Sequence, residues 1–364
     1  MYVVIFCSLF ALLLTFFESK GWLNGGMKWG FILITILGAI HYDYGSDYMS
    51  YYNTYREIVN LPFDLKAIMA GDYYRDTGWA LLAFFFKPFG GFFMMVAVLN
   101  TIQNIIVYRF IKDTVEKAGW PFALFVYLFV TSFYLMSFSM MRQMFVIVVF
   151  LGMWKYIIQR KWWISLIVIY LCSYIHGSAL ALLPFAFWGF IPMDNAKYMG
   201  MGYVLLLVIL WLASDTLNEL FQFAMTMDEG FSQYADTYYD DDAGLKIGMG
   251  FIINMIPFVL SIKYLLKDEH SYQSKSLVAL SAIFFIITPF SQIIRLISRF
   301  GFYFGIFSIA SLPLIYRNIK KKSLRQGLVA LYILITIYDY WLFFNVGVFV
   351  KGYSTFHTIF SQVF

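Results

Sequence analysis

Charge is scarce in this sequence, as are the residues that build soluble frameworks. Only 13% of the 364 residues are Asp, Glu, Lys or Arg, against 61% apolar residues. That is too little polar surface to cover a soluble globule. The two cysteines, Cys7 and Cys172, both lie in apolar runs, which excludes a disulfide or cysteine-metal framework. There is no GxSxG nucleophile elbow, and Ser178 is too close to His176 in sequence for a triad to be inferred. Internal repeats, heptads and low-complexity tracts are also missing, so the chain reads as one domain, 1–364. The net charge of +5 is spread over short connections rather than striped along one surface, which argues against a nucleic-acid partner.

What is present is a series of apolar runs, several near the ~20 residues that cross a bilayer as a helix. They predict an all-α, polytopic membrane protein with about eleven or twelve passes, near 1–17, 27–41, 92–110, 120–139, 143–158, 162–176, 178–192, 199–214, 247–265, 276–290, 299–316 and 326–346. Residues 1–17 lack the charged start and small-residue cleavage site of a signal peptide and are expected to be a retained span. The run 79–91 is too short to span and ends in Pro88, Gly90 and Gly91, so it is expected to be re-entrant or interfacial. The run after His176, broken by Pro184, has the same two readings.

Charge sidedness orients these passes. Connections 18–28, 109–119, 155–161, 193–198, 263–275 and 317–325 hold 17 of the 26 basic residues and 6 of the 21 acidic ones. By the positive-inside rule that side is cytoplasmic. The opposite side carries 14 acidic residues and two long outer loops, about 42–78 and 215–246.

Polar residues at span ends gather on that outer side: Asp43, Asp47, Arg142, Gln143, His176, Gln292, Arg295 and Arg299. Ionisable groups at membrane depth are costly and mark functional sites by default. The competing reading is that each caps a helix or snorkels to the headgroups. Arg142, Arg295 and Arg299 suit bidentate binding of phosphate oxygens, as on a lipid-borne pyrophosphate. Arg295 and Arg299 are four apart, hence on one face if the stretch is helical. The carboxylates could bind a sugar hydroxyl or take its proton. Tyr42, Tyr44, Tyr48, Tyr51, Tyr52 and Tyr55, with Tyr234, Tyr238 and Tyr239, offer faces for a sugar, or else form an interfacial aromatic belt. Asp240, Asp241 and Asp242 read as a solvated acidic loop before a cation site. Asp339, inside the last span, is expected to face the bundle interior beside a partner.

The ordered set of motifs resembles one family. Gly45-Ser46-Asp47-Tyr48 is similar to the GxDxxxY segment of EpsG-like polysaccharide polymerases, a branch of the Wzy-type enzymes. Arg75-Asp76-Thr77-Gly78-Trp79 resembles their Arg-Glu-Pro-Gly-Tyr element, with Asp for Glu and Thr for Pro. Ser139-Met140-Met141-Arg142-Gln143 is similar to Ser-x-x-Arg-Gln, and His176-Gly177-Ser178-Ala179-Leu180 to His-x-Ser-Ala-Leu. The arginines near 295 and Tyr353-Ser354-Thr355-Phe356 also fit.

The resemblance implies a GT-C-like, metal- and cofactor-independent, inverting glycosyltransferase of the bacterial cytoplasmic (inner) membrane, with its site facing the periplasm or cell exterior. Its implied partners are undecaprenyl-pyrophosphate-linked oligosaccharide donor and acceptor, the bilayer, and chain-length regulator and flippase proteins. Asp47, Asp76 and His176 would be catalytic. Arg142, Gln143, Arg295, Arg299, Gln292, Tyr48, Arg75 and Tyr353 would bind substrate. The competing functions are a glycan ligase, which needs the same pyrophosphate site, a lipid-linked glycan flippase or transporter, and a membrane O-acyltransferase using His176. A flippase should carry polar groups through both leaflets.

Overall fold

In the computed structural model the chain is helical almost throughout, and the structure describes residues 1–213, 216, 219, 248–291, 295–346 and 350–362. Two compact units form, one of 1–191 with 337–364 and one of 192–336. Among the described residues, six helices are long and apolar enough to cross a membrane: Tyr2–Ser19, Gly91–Thr114, Met141–Ile158, Met193–Leu212, Tyr272–Phe290 and Lys322–Asn345. A seventh results if Arg299–Gly305 and Ser308–Arg317, bent by 55°, count as one broken span. The chain is thus an all-α, polytopic membrane protein. Length alone supports fewer spans than the eleven or twelve expected, because several apolar runs are broken into shorter helices. Residues 120–139 form a ten-residue helix, a turn and a four-residue helix. The run after His176 winds as a 3₁₀ helix, Gly177–Phe190.

The first unit holds α1 (Tyr2–Ser19), α2 (Gly26–Ile40), α3 (Tyr48–Asn60), α4 (Leu65–Ala70), α5 (Thr77–Phe86), α6 (Gly91–Thr114), α7 (Trp120–Phe129), α8 (Met136–Ser139), α9 (Met141–Gly152), α10 (Trp154–Ile158) and α11 (Trp162–Ser173). Its α1 and α2 approach closely through small residues. A Cβ on Gly26 would lie 2.1 Å from the Leu14 carbonyl oxygen, and one on Gly30 2.9 Å from that of Ala11. Small-residue seams of this kind let backbones pack without a hydrophobic driving force. Polar groups tie the next helices together. Asn100 Nδ2 donates to the Thr35 carbonyl at 2.9 Å, Asn104 Nδ2 to Asn100 Oδ1 at 3.1 Å, and the Tyr127 hydroxyl to Asn104 Oδ1 at 2.9 Å.

The outer segment expected at 42–78 is structured by its aromatics. Tyr48, Tyr55 and Ile58 of α3, Trp79, Ala80, Ala83 and Phe86 of α5, and Phe92 and Met95 of α6 form one buried cluster. The ten-residue α5 is about 15 Å long at 1.5 Å per residue, too short to span, which fits the expected re-entrant or interfacial segment. The C-terminal segment returns to this region, where β1 (His41–Tyr42) pairs antiparallel with β2 (His357–Thr358). The second unit contains α12 (Ala196–Leu212), α13 (Met249–Leu265), α14 (Tyr272–Phe290), α15 (Arg295–Gly305) and α16 (Ser308–Arg317), and α17 (Lys322–Asn345) runs from it into the first.

Candidate active site

Asp76 is the N-cap of α5, a position where Asp ordinarily accepts from the amides of its own helix. Here its side chain makes no capping bond. The carboxylate turns outward, pairs through Oδ2 with Arg142 Nη1, and accepts the backbone N–H of Gly177. The start of α5 is also fixed to the chain after α11, since Gly78 N donates to the Tyr174 carbonyl at 2.8 Å. A Cβ on Gly78 would lie 2.9 Å from that backbone, so no larger residue fits without a shift.

Arg142 is the second residue of α9, the positive end of a helix, where a cation is electrostatically misplaced. Its surroundings compensate. The guanidinium carbon lies 5.2 Å from the Tyr51 ring centroid and 5.0 Å from that of Tyr74, so two aromatic faces share the charge with Asp76. The guanidinium also donates to the Tyr51 hydroxyl. Its Nε is buried without a hydrogen-bond partner among the described residues. The pair remains slightly open, with 17% of the Arg142 side chain and 13% of that of Asp76 accessible. Burial raises the proton affinity of Asp76 above that of an ordinary carboxylate, while Arg142, the Gly177 amide and Arg75 pull against it.

Asp47 repeats the diversion at α3. It is an N-cap without a capping bond, and its Oδ2 accepts from Ser139 Oγ at 3.1 Å, while Ser139 Oγ accepts from the Asp47 amide at 3.2 Å. Gly45 makes the turn possible with φ +117°, and a Cβ there would lie 2.3 Å from the Phe138 carbonyl oxygen. Ser139 and Arg142 come from one motif, so four sequence elements converge: 45–48 on 139, 75–79 on 142, and 75–79 on 174–177. His176 sits beside the Gly177 amide as the N-cap of the 3₁₀ helix, and Arg75 is exposed next to Asp76.

Two of the other expected site residues are enclosed. Tyr48 and Tyr353 are fully buried, and their hydroxyls donate to the carbonyls of His41 and Leu135 at 3.3 and 2.8 Å. Both are packing residues and offer no open face to a substrate. Gln143 is buried within α9. Arg295 opens α15 and Arg299 follows one turn later in the second unit, so the expected helix is present, although the Arg295 side chain is outside the description. Gln292, Tyr234, Tyr238, Tyr239, Asp240, Asp241 and Asp242 lie outside the described residues. Asp339 does have a partner, Thr131, whose Oγ1 donates to Oδ2 at 3.2 Å. Among the described residues no group of three or more His, Cys, Asp or Glu is placed to hold a metal ion. Sequence reasoning missed the cage around Arg142. Tyr74 adjoins the Arg75-Asp76 motif, and only its position there signalled it.

These motif segments span most of the chain, and a family model does too. The chain belongs to the EpsG family, whose model matches residues 29–355. Membership supports a general role of the polysaccharide-polymerase kind. No curated protein and no solved structure matches the chain.

Proposed function

We propose that this EpsG-family protein is a glycosyltransferase that joins oligosaccharide repeat units carried on undecaprenyl pyrophosphate into a surface polysaccharide, such as an exopolysaccharide, capsule or O-antigen. One observation carries the reading: Arg142, a permanent cation held between Tyr51 and Tyr74, is paired with Asp76 where the motif segments meet. A planar guanidinium in a low-dielectric setting suits the oxygens of a pyrophosphate and the charge it gains on leaving.

In the proposed reaction the acceptor hydroxyl oxygen attacks the anomeric carbon of the donor sugar from the side opposite the leaving group. The carbon–oxygen bond to the pyrophosphate breaks, its electron pair stays on the phosphate oxygen beside Arg142, and the configuration inverts as in GT-C-type enzymes. The acceptor proton goes to a carboxylate. Asp76 is favoured, because burial raises its proton affinity and a pyrophosphate drawing on Arg142 would loosen its partner. Asp47, held by Ser139, would orient the acceptor, and His176 would assist either sugar. The flexible task of contacting the glycan falls to exposed groups, since Tyr48 and Tyr353 are enclosed.

Purified protein incubated with a single defined lipid-pyrophosphate-linked repeat unit should produce a ladder of lengthening glycans on a gel. Transfer to a different acceptor without a ladder indicates a ligase, and movement across vesicles without new bonds indicates a flippase. The site is proposed to face outward from the bacterial inner membrane, on the basis of charge sidedness. A single cysteine at Ser46 should then react with an impermeant thiol reagent on intact cells, and one at Ser323 should not. The opposite pattern reverses the orientation.

A further inference from the structure

The C-terminal segment returns from the far end of the chain to the turn that carries Asp47. Gly45 N donates to the Gly352 carbonyl at 2.8 Å, and β1 pairs with β2 on the same segment. The turn is crowded from both sides. A Cβ on Gly352 would lie 2.7 Å from the backbone of Ser46, and one on Gly45 2.3 Å from the Phe138 carbonyl oxygen. Residues 45–47 are thus clamped between the end of α8 and residue 352, and neither glycine leaves room for a side chain.

Tyr353 joins the two sides of the clamp. Its ring is fully buried, with the ring centroids of Tyr44 and Phe343 at 5.0 and 4.9 Å. Its hydroxyl reaches both ends of α8: it donates to the Leu135 carbonyl at 2.8 Å and stands in hydrogen-bonding contact with Ser139. Ser139 in turn donates to Asp47 Oδ2 at 3.1 Å and accepts the Asp47 amide at 3.2 Å. Asp47 itself is exposed. A carboxylate on an exposed turn ordinarily samples several rotamers. This one is anchored through a buried serine to a buried phenol, a rigid group that loses little entropy when held. Phenylalanine would fill the same space without the cost of burying a hydroxyl, so the hydroxyl is accounted for by what it bonds.

We infer that Tyr353 is a positioning residue for chain extension, acting through Ser139 to fix the Asp47 carboxylate against the acceptor hydroxyl, an inference that rests on the reading above in which Asp47 orients the acceptor. Tyr353 is enclosed and touches no substrate. Its effect falls on the acceptor and spares the donor, whose pyrophosphate is assigned to Arg142. The C-terminal segment thereby belongs to the acceptor side of the site, and unseating it misplaces a carboxylate without removing it. A misplacement of about 1 Å in such a group costs on the order of a hundredfold in rate.

Single transfer by the purified full-length protein separates the two substrates. The donor is a pyrophosphate-lipid-linked repeat unit whose terminal sugar is methylated at every hydroxyl, and the acceptor is the same repeat unit as an alkyl glycoside, which carries no leaving group. Tyr353→Phe keeps the ring and removes only the hydroxyl. It should lower kcat/KM for the acceptor about tenfold and leave the donor KM unchanged, in protein that elutes normally. Ser139→Ala should do the same, and the double variant should be no slower than Ser139→Ala alone, because both act along one path. A second readout needs no turnover: amide hydrogen exchange of residues 43–48 should quicken in Tyr353→Phe while that of residues 91–114 stays as in the wild type. Equal losses for donor and acceptor, additive losses in the double variant, or faster exchange with an unaltered acceptor kcat/KM would overturn the positioning role. Quickened exchange at 43–48 in a protein whose wild type transfers nothing refutes the polymerase reading alone, and unaltered exchange in a protein that transfers normally refutes the tether alone.

Discussion

Asp64 and Asp76 stand twelve residues apart in the same inter-span segment, each at the N-cap of a short helix. Asp64 behaves as its position dictates and accepts from the amides of Lys66 and Ala67 at 2.8 and 3.4 Å. Asp76 leaves its helix uncapped and spends its carboxylate on Arg142 and the Gly177 amide. A stabilising option declined at one position and taken at its neighbour indicates that the arrangement at Asp76 serves something other than helix stability. Asp47, with its carboxylate turned to Ser139, falls on the same side of the contrast.

The contrast can be broken by exchanging the readouts. Asp76→Asn keeps shape and removes the charge, and should lower the rate of chain extension on the order of a hundredfold, about 3 kcal/mol of transition-state stabilisation, in protein that elutes normally. Asp64→Ala should do the reverse, leaving the rate unchanged and costing about 1 kcal/mol of stability as a lost cap, read as a lowered thermal midpoint. If Asp64→Ala slows extension as much as Asp76→Asn does, the two positions are alike and the site is misplaced.

A finer prediction concerns pH. A base must be ionised, and burial raises the Asp76 carboxyl above the ordinary value of about 3.9, so extension should fall as pH drops through a midpoint above that value. Arg142 favours the ionised form, so its removal should move the midpoint of any residual activity further up, not down. A midpoint at or below the ordinary value in the wild type would exclude Asp76 as the base.

Much of this was legible in the sequence because the chain is so apolar. In such a background Asp47, Arg142 and His176 stand out as costly groups at span ends, while Asp76 was marked only by its place in a segment that resembles the family's. The all-helical, polytopic architecture follows from the same runs. Other features were hidden for physical reasons. N-cap chemistry looks identical at Asp64 and Asp76 until the third dimension supplies Arg142. The tyrosines are compositionally alike, yet Tyr51 and Tyr74 flank a cation while Tyr48 and Tyr353 fill the core. The Gly177 contribution is a backbone amide, which any residue carries. The division of apolar runs into short helices, as at 120–139, depends on packing that hydropathy does not record.

The most direct measurement is the rate of chain extension by Arg142→Lys on a defined lipid-pyrophosphate-linked repeat unit. Lysine keeps the charge between Tyr51 and Tyr74 but loses the planar fork that can hold Asp76 and phosphate oxygens together. A loss of about a hundredfold, with normal protein levels and unextended repeat units remaining on lipid, is the predicted result. A ladder formed at the wild-type rate would contradict Arg142 as the centre of the site.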